Sequence, residues 1–418
     1  MFMPLGRPLR AVGLAAAVLV CVAPAVAAQP GQVAPSYDVL IDRLHRMPAA
    51  LEAAARSDAA RERATQARAL PNPTLAWDLE SFRGTGAYRG FGNAESTVSL
   101  SQPLELFGQR GARIRAATAE ADAEGLRGEQ LRWQAAARFA LAYAEAEAAA
   151  RRHLLAEEAL ALTEQDARAV TVMVERGREA ALRQVQAESE AEFARAALDE
   201  AQAIREAAFA RLAAIAMLDG PVATIGDSLL DRVPDPHIDH TGTPLPVRIA
   251  QAELDATGRL VTVEQRRSRP DVSASIGRQR FRESGDEALS VGLALTVPLF
   301  DRNRAGIRAA HADRRAAEAR LDAQRQEAKA DHLAAEATLS ASRSRTRAAD
   351  DGVSAAQEAY RLARIGFDAG RIAQLELRST RAALIAARSA AVDARVARVM
   401  AEIEMALVEG RAPFGEFP

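Results

Sequence analysis

The sequence predicts a mainly α-helical protein that carries a membrane β-barrel segment and is built as a tandem duplication. Three observations lead there. Proline-free stretches are long enough for helices of about 100 Å. Four segments of about ten residues alternate apolar and polar positions. A set of landmarks recurs in the same order at nearly one offset.

The duplication organises the rest. Pro73-Thr74-Leu75 opens an extended segment, and Pro270-Asp271-Val272 opens another 197 residues later. Leu100-Ser101-Gln102-Pro103-Leu104 is answered by Leu295-Thr296-Val297-Pro298-Leu299 at an offset of 195, and Gly177 by Gly370 at 193. Each unit therefore reads strand, loop, strand, very long helix, turn, shorter helix. The expected organisation is a leader over 1–28, a first unit over 29–218, a linker over 219–246, a second unit over 247–409 and a tail over 410–418.

Strands are expected over 73–82, 95–106, 271–281 and 288–300. Leu75, Trp77 and Leu79 alternate with Ala76, Asp78 and Glu80, and Val291, Leu293, Leu295 and Val297 with Gly292, Ala294 and Thr296. A half-buried soluble sheet shows the same period. Polar, glycine-bearing loops joining each pair, and the lack of other long strands, favour barrel strands. A four-stranded sheet cannot sit in lipid with open edges, because unpaired backbone groups find no water there, so copies must close it.

From Gly108 to Glu175 there is no proline, and Leu126, Trp133, Ala137, Leu141, Ala144 and Ala148 recur at sums of three and four. Helices are expected over 108–175 and 303–365, with shorter return helices over 178–218, 247–267 and 371–409 and an N-terminal helix over 37–70. Lengths near 100 Å need a supercoiled partner rather than a globular core. Alanine at many seam positions lets such helices approach closely at little entropic cost.

The first residues read as an export signal. Arg7 and Arg10 precede an apolar run from Ala11 to Val22, and Ala25-Val26-Ala27-Ala28 offers small residues for cleavage. The run is too short to span a bilayer as a helix. Cys21 is the only cysteine; the preceding Val20 is a poor match to a lipid-attachment site, and cleavage near residue 28 leaves no thiol. Aromatic residues make up 4% of the chain, as in long-helix proteins. The formal net charge of −2 gives no basic excess for nucleic acid. No catalytic constellation or phosphate-cradling glycine motif is present, so neither enzymatic activity nor a cofactor is expected. Acidic residues lie beside arginines at three- and four-residue spacing and read as solvated helix faces.

Pro71-Asn72-Pro73, Leu100 to Gly111, Arg269-Pro270-Asp271-Val272 and Val297 to Asn303 together resemble the TolC-like outer-membrane factors, and most of all their heavy-metal (cobalt-zinc-cadmium, CzcC-like) branch. The likeness runs from about residue 37 to 409. It implies a homotrimer in the cell outer membrane whose twelve strands close one barrel, with a helical tunnel reaching across the periplasm. It further implies a periplasmic adaptor, an inner-membrane resistance-nodulation-division pump, and passive conduction of exported solute, with divalent heavy-metal cations favoured by the branch. A drug or protein-secretion channel of the same superfamily is the near alternative. A periplasmic coiled-coil adaptor is the distant one, and would show one hairpin rather than two alternating with strand pairs.

The resemblance also assigns candidate residues. The turns at Gly177 and Gly370 become the tips farthest from the barrel, with Leu182 and Leu375 as candidate adaptor contacts. Glu376 falls where the family places a carboxylate of its closing network, but Ser379 stands where a second is found. Arg183 is the first-unit equivalent of Glu376, and Arg378 lies close by. The expected gate is Glu376 paired with arginines of its own or a neighbouring protomer; isolated exposed pairs of this kind contribute little. Asp235, His237, Asp239 and His240 have metal-binding chemistry. The flanking prolines and the absence of a closed-site spacing make His237 and His240 surface-loop residues instead, so no metal site is assigned.

Overall fold

A computed structural model describes residues 32–233 and 242–414. The leader with Cys21, and the segment holding His237 and His240, lie outside the described residues. In chain order the elements are β1 (Gln32–Ala34), α1 (Tyr37–Ile41), α2 (Pro48–Gln66), β2 (Thr74–Glu80), β3 (Glu95–Leu104), α3 (Gln109–Glu175), α4 (Ala181–Ile215), β4 (Val222–Ile225), α5 (Leu245–Arg267), β5 (Asp271–Phe281), β6 (Glu287–Thr296), α6 (Arg304–Asp368) and α7 (Gln374–Glu409).

The expected strand pairs form one antiparallel sheet in the order β2-β3-β5-β6. Its register assembles apolar rows across all four strands. Leu75, Leu100, Ile276 and Val291 are direct neighbours, and Leu293 and Leu295 extend the same face through Ala274 and Val272. Val291 and Leu293 are each 78% exposed. The opposite face carries Thr74, Ser101, Ser275 and Gly292 in one row and Ala76, Ser99, Gly277 and Ser290 in the next. A Cβ at Gly277 would stand 2.7 Å from the Ser290 hydroxyl, and one at Gly292 2.7 Å from that of Ser275, so a side chain at either glycine would have to displace the facing hydroxyl. A sheet with one apolar and one hydroxyl face, and no cover on the apolar face, has the pattern of a barrel wall in lipid.

α3 and α6 have 67 and 65 residues, about 100 Å each. Both leave the sheet through a residue in the left-handed region at the same place in the repeat, Gly108 (φ 82°) and Asn303 (φ 51°). Asparagine tolerates that conformation better than most side chains. Asn303 is further held by its Nδ2, which donates to the Glu264 carbonyl at 3.0 Å and to the Glu264 carboxylate at 2.6 Å. Near the sheet α3 packs on α2, where a Cβ on Gly128 would lie 3.4 Å from the Ala53 carbonyl oxygen. Farther out it packs on α4 and α7.

The main core sits midway along the helices. Tyr37 stacks on Phe139 at 5.4 Å between ring centroids and meets Tyr143 edge-on at 5.8 Å, with Leu40, Leu212, Leu229, Leu230, Val392 and Val399 around them. The Tyr37 hydroxyl donates to the Pro413 carbonyl at 3.0 Å, closing the C-terminus over the N-terminal segment. Burial pushes the Tyr143 phenol up to about 12, and its hydroxyl donates to the Asp227 carbonyl at 3.0 Å.

Two expectations are corrected. The N-terminal helix is broken: Met47 is extended before Pro48, as steric clash with the proline ring demands, and α2 begins at that proline. The linker over 219–246 is structured in part, because β4 pairs in parallel with β1, from Gln32↔Val222 to Ala34↔Ile225.

Candidate functional site

The two tips repeat one backbone solution. Gly177 and Gly370 have φ of 67° and 68°, a conformation glycine adopts without penalty. The Arg178 N–H donates to the Met173 carbonyl at 2.9 Å and the Gly177 N–H to Val174 at 2.9 Å; Arg371 and Gly370 do the same to Gly366 and Phe367, both at 2.8 Å. This is the Schellman termination, so each long helix ends by its own hydrogen bonding and the chain reverses within a few residues. Leu182 and Leu375 stand at equivalent places beyond the glycines, and both are exposed.

Behind the leucines the tips differ. Arg183 is half-buried, whereas Glu376 is exposed and, among the described residues, makes no ion pair within the chain. Arg378 is engaged by Glu190 of α4 instead. Burial, together with the like charges of Arg381 and Arg183, draws the Arg378 guanidinium below the usual arginine range, opposed by Asp166.

Arg381, not singled out from the sequence, is the best-seated charge near the tips. It is buried on α7, donates to the Asp166 carboxylate of α3 at 2.6 Å and reaches the Leu162 carbonyl at 3.1 Å. Farther from the tips the same α3–α7 seam carries Glu158–Arg388 at 2.6 Å and then Arg152–Asp393. The two helices are laced in antiparallel order by charge. The reading of these residues as solvated helix faces is therefore corrected for Glu147, Arg381 and Arg398, all buried. Nothing in the sequence separates Glu147 from Glu145, which lies in the same alanine-rich stretch 144–150 and is only half-buried.

At the inner end of the seam, Glu147 holds the linker. Its carboxylate accepts the backbone N–H groups of Leu229 (2.8 Å) and Leu230 (3.0 Å), the Ser228 hydroxyl (2.7 Å) and Arg151 (2.6 Å). From α7, Arg398 donates to the Leu230 carbonyl at 2.7 Å and that of Arg232 at 3.1 Å. Hydrogen bonding from Arg151 keeps the Asp231 carboxyl below its ordinary value. One short turn is thus grasped from both hairpins.

Among the described residues no group of three or more His, Cys, Asp or Glu side chains is gathered to hold a metal, and no helix is long and apolar enough to cross a membrane. What the geometry offers is a wall: an amphipathic sheet continued by two laced hairpins. The profile of outer membrane efflux proteins matches residues 40–216 and 246–411, interrupted at the linker that divides the two units. The chain belongs to the outer membrane efflux protein family.

This efflux protein is 40% identical over 301 residues to the nickel-cobalt-cadmium resistance protein NccC of Alcaligenes xylosoxydans xylosoxydans, covering 71% of this chain and 68% of that one. It is 39% identical over 297 residues to the nickel and cobalt resistance protein CnrC of Cupriavidus metallidurans, covering 70% and 71%. The resemblance to the heavy-metal branch is borne out. The outer membrane protein VceC of Vibrio cholerae superposes with a TM-score of 0.74 over 90% of this chain and 96% of that one, at 21% identity. The fold is that of TolC-like outer-membrane channels.

Proposed function

We propose that three copies of this chain close a twelve-stranded barrel in the outer membrane and a helical tunnel beneath it, passively conducting divalent heavy-metal cations delivered by an inner-membrane resistance-nodulation-division pump through a periplasmic adaptor. The observation that carries this reading is the sheet itself. Among the described residues it presents an uncovered apolar face from β2 to β6 and leaves both outermost strands without neighbours, a state lipid does not tolerate. Joining β6 of one copy to β2 of the next removes every edge. The cargo is supported by the resistances for which NccC and CnrC are named.

In this reading the tips form the periplasmic entrance. Leu182 and Leu375 present apolar contacts to the adaptor, and Glu376, which makes no ion pair among the described residues of its own chain, meets an arginine of the neighbouring protomer.

Arginine at Val291, in the middle of the apolar face, is expected to cost about 2–4 kcal/mol of membrane insertion, whereas arginine at Thr97 on the opposite face is expected to be tolerated. Heat-modifiable trimers in outer-membrane fractions read the difference, and equal yields of both variants would refute the barrel orientation. For the cargo, a deletion strain is expected to lose tolerance to nickel, cobalt, zinc or cadmium while its response to a drug panel is unchanged. The opposite pattern would assign the chain to drug efflux.

A further inference from the structure

The two halves of the chain superimpose residue by residue. Under the offsets of 197 and 195, Thr74↔Ser101 becomes Asp271↔Thr296 and Glu80↔Glu95 becomes Gly277↔Ser290, and all four pairings are present. Along the helices the offset is 193, as at the tips. Ala142, Ala146, Ala149 and Val170 of α3 are buried, and so are Ala335, Leu339, Ser342 and Ala363 of α6. The two helical hairpins are therefore built alike, each long helix burying the same face.

One contact does not repeat within the chain. α3 is laced to α7, whereas α6 and α4, their counterparts, form no corresponding seam among the described residues. At the α3–α7 seam Arg381 is buried, and Arg152, Leu162, Asp166 and Arg388 are half-buried. Their equivalents, Arg345, Ala355 and Ala359 on α6 and Glu188 and Arg195 on α4, are all exposed. Two charged rungs nevertheless recur with every sign kept. Glu158–Arg388 is answered by Asp351 and Arg195, and Arg152–Asp393 by Arg345 and Glu200. Among the described residues Arg345, Asp351 and Glu200 make no ion pair, and Arg195 meets Glu164 and Glu192 of its own hairpin. The chain thus carries both halves of a second seam on separate surfaces.

We infer that α6 of one copy packs on α4 of the next in the register of the α3–α7 seam, setting Arg345 against Glu200 and Asp351 against Arg195 of the neighbouring copy. The inference rests on the trimer proposed above. A head-to-tail contact closes into a ring when each copy presents the two complementary halves, as α6 and α4 do. Exposed charge pairs add little affinity, but they fix which residues meet. A slide by one rung would set Arg345 against Arg195 or Asp351 against Glu200, like against like. Ala348, Gly352, Ala355 and Ala359 lie along the same stretch of α6, where small side chains let a second helix approach closely. Near the tips the repeat lapses. Ala359 and Glu188 stand where Asp166 and Arg381 pair, so the seam between copies lacks that rung.

The test is thiol cross-linking of the full-length protein in outer-membrane fractions with a short bismaleimide. The in-chain pair Arg152→Cys, Asp393→Cys calibrates the reach of the reagent and is expected to link within one chain. Arg345→Cys with Glu200→Cys is expected to give covalent dimers and trimers, and so is Asp351→Cys with Arg195→Cys. All four positions are exposed, so these variants keep the fold of the single chain. Arg345→Cys with Glu188→Cys, displaced by about 18 Å along α4, should give none, and neither should any single cysteine. Non-covalent trimers with no link at either matched pair, while the in-chain pair reacts, overturn the seam and leave the channel intact. Equal linking of matched and displaced pairs overturns its register. Absence of wild-type trimers from these fractions overturns the trimer reading and the seam with it.

Discussion

Glu147→Ala is expected to destabilise the protein by about 3–5 kcal/mol, more than any other single truncation argued from the fold. Glu147 is 5% exposed, and its side chain meets two backbone N–H groups, a hydroxyl and a guanidinium at once. Removing it leaves the N–H groups of Leu229 and Leu230 with nothing to donate to, and leaves Arg151 with only Asp231 and the Ser228 hydroxyl. Unsatisfied buried donors cost about 1–3 kcal/mol each. Glu147→Gln keeps an acceptor oxygen and should lose markedly less. Thermal melting in detergent measures the ranking, and limited proteolysis should cut the turn near Leu229 first. An alanine variant that melts within a degree of wild type would show that the latch is not structural.

The pH dependence of this latch has a definite sign. Asp231 has a folded pKa below its unfolded one, so its contribution is present above the unfolded value of about 3.9 and is lost as pH falls through the lower folded value. This group therefore leaves the melting temperature flat from neutral pH to about 5 and lowers it only under strong acidification.

Local physics made most of the fold legible. A left-handed glycine at each tip is a demand of the backbone that no other residue meets as readily, so Gly177 and Gly370 could be read without tertiary knowledge. Strand alternation is equally local, and the four barrel strands lie within a few residues of their expected bounds. β4 was illegible because four residues, Val222 to Ile225, pair with a segment almost two hundred residues earlier, and neither is long enough to signal alone. The latch and the seam failed to show for a different reason. A glutamate on a helix looks the same whether it meets water or a linker turn, and Arg381 and Asp166 are related only by how two hairpins pack. The pairing of Glu376 was expected from position, but position does not say which arginine another carboxylate has already taken, and Glu190 holds Arg378.

Arg381→Ala is expected to raise single-channel conductance several-fold, provided the entrance proposed at the tips is gated by parting of the hairpins. The apolar core lies at mid-helix around Phe139 and Tyr143, while the outer part of the α3–α7 seam is joined by Asp166–Arg381 and Glu158–Arg388. Apolar packing resists separation in proportion to buried area, whereas a charge pair near water can be exchanged for hydration at little net cost, so the hairpins separate first at the tips. Arg381 is the exception that holds them, being buried and bonded to both Asp166 and the Leu162 carbonyl. Its loss removes about 2–3 kcal/mol from the closed arrangement alone, enough to shift a closed-to-open ratio by roughly thirtyfold or more. Glu376→Ala should act in the same direction but more weakly, because that carboxylate is exposed and its partner must come from another protomer. Conductance in planar bilayers orders the two. A larger effect at Glu376 would place the closing contact between protomers, and no change at Arg381 would mean that the seam does not move when the channel opens.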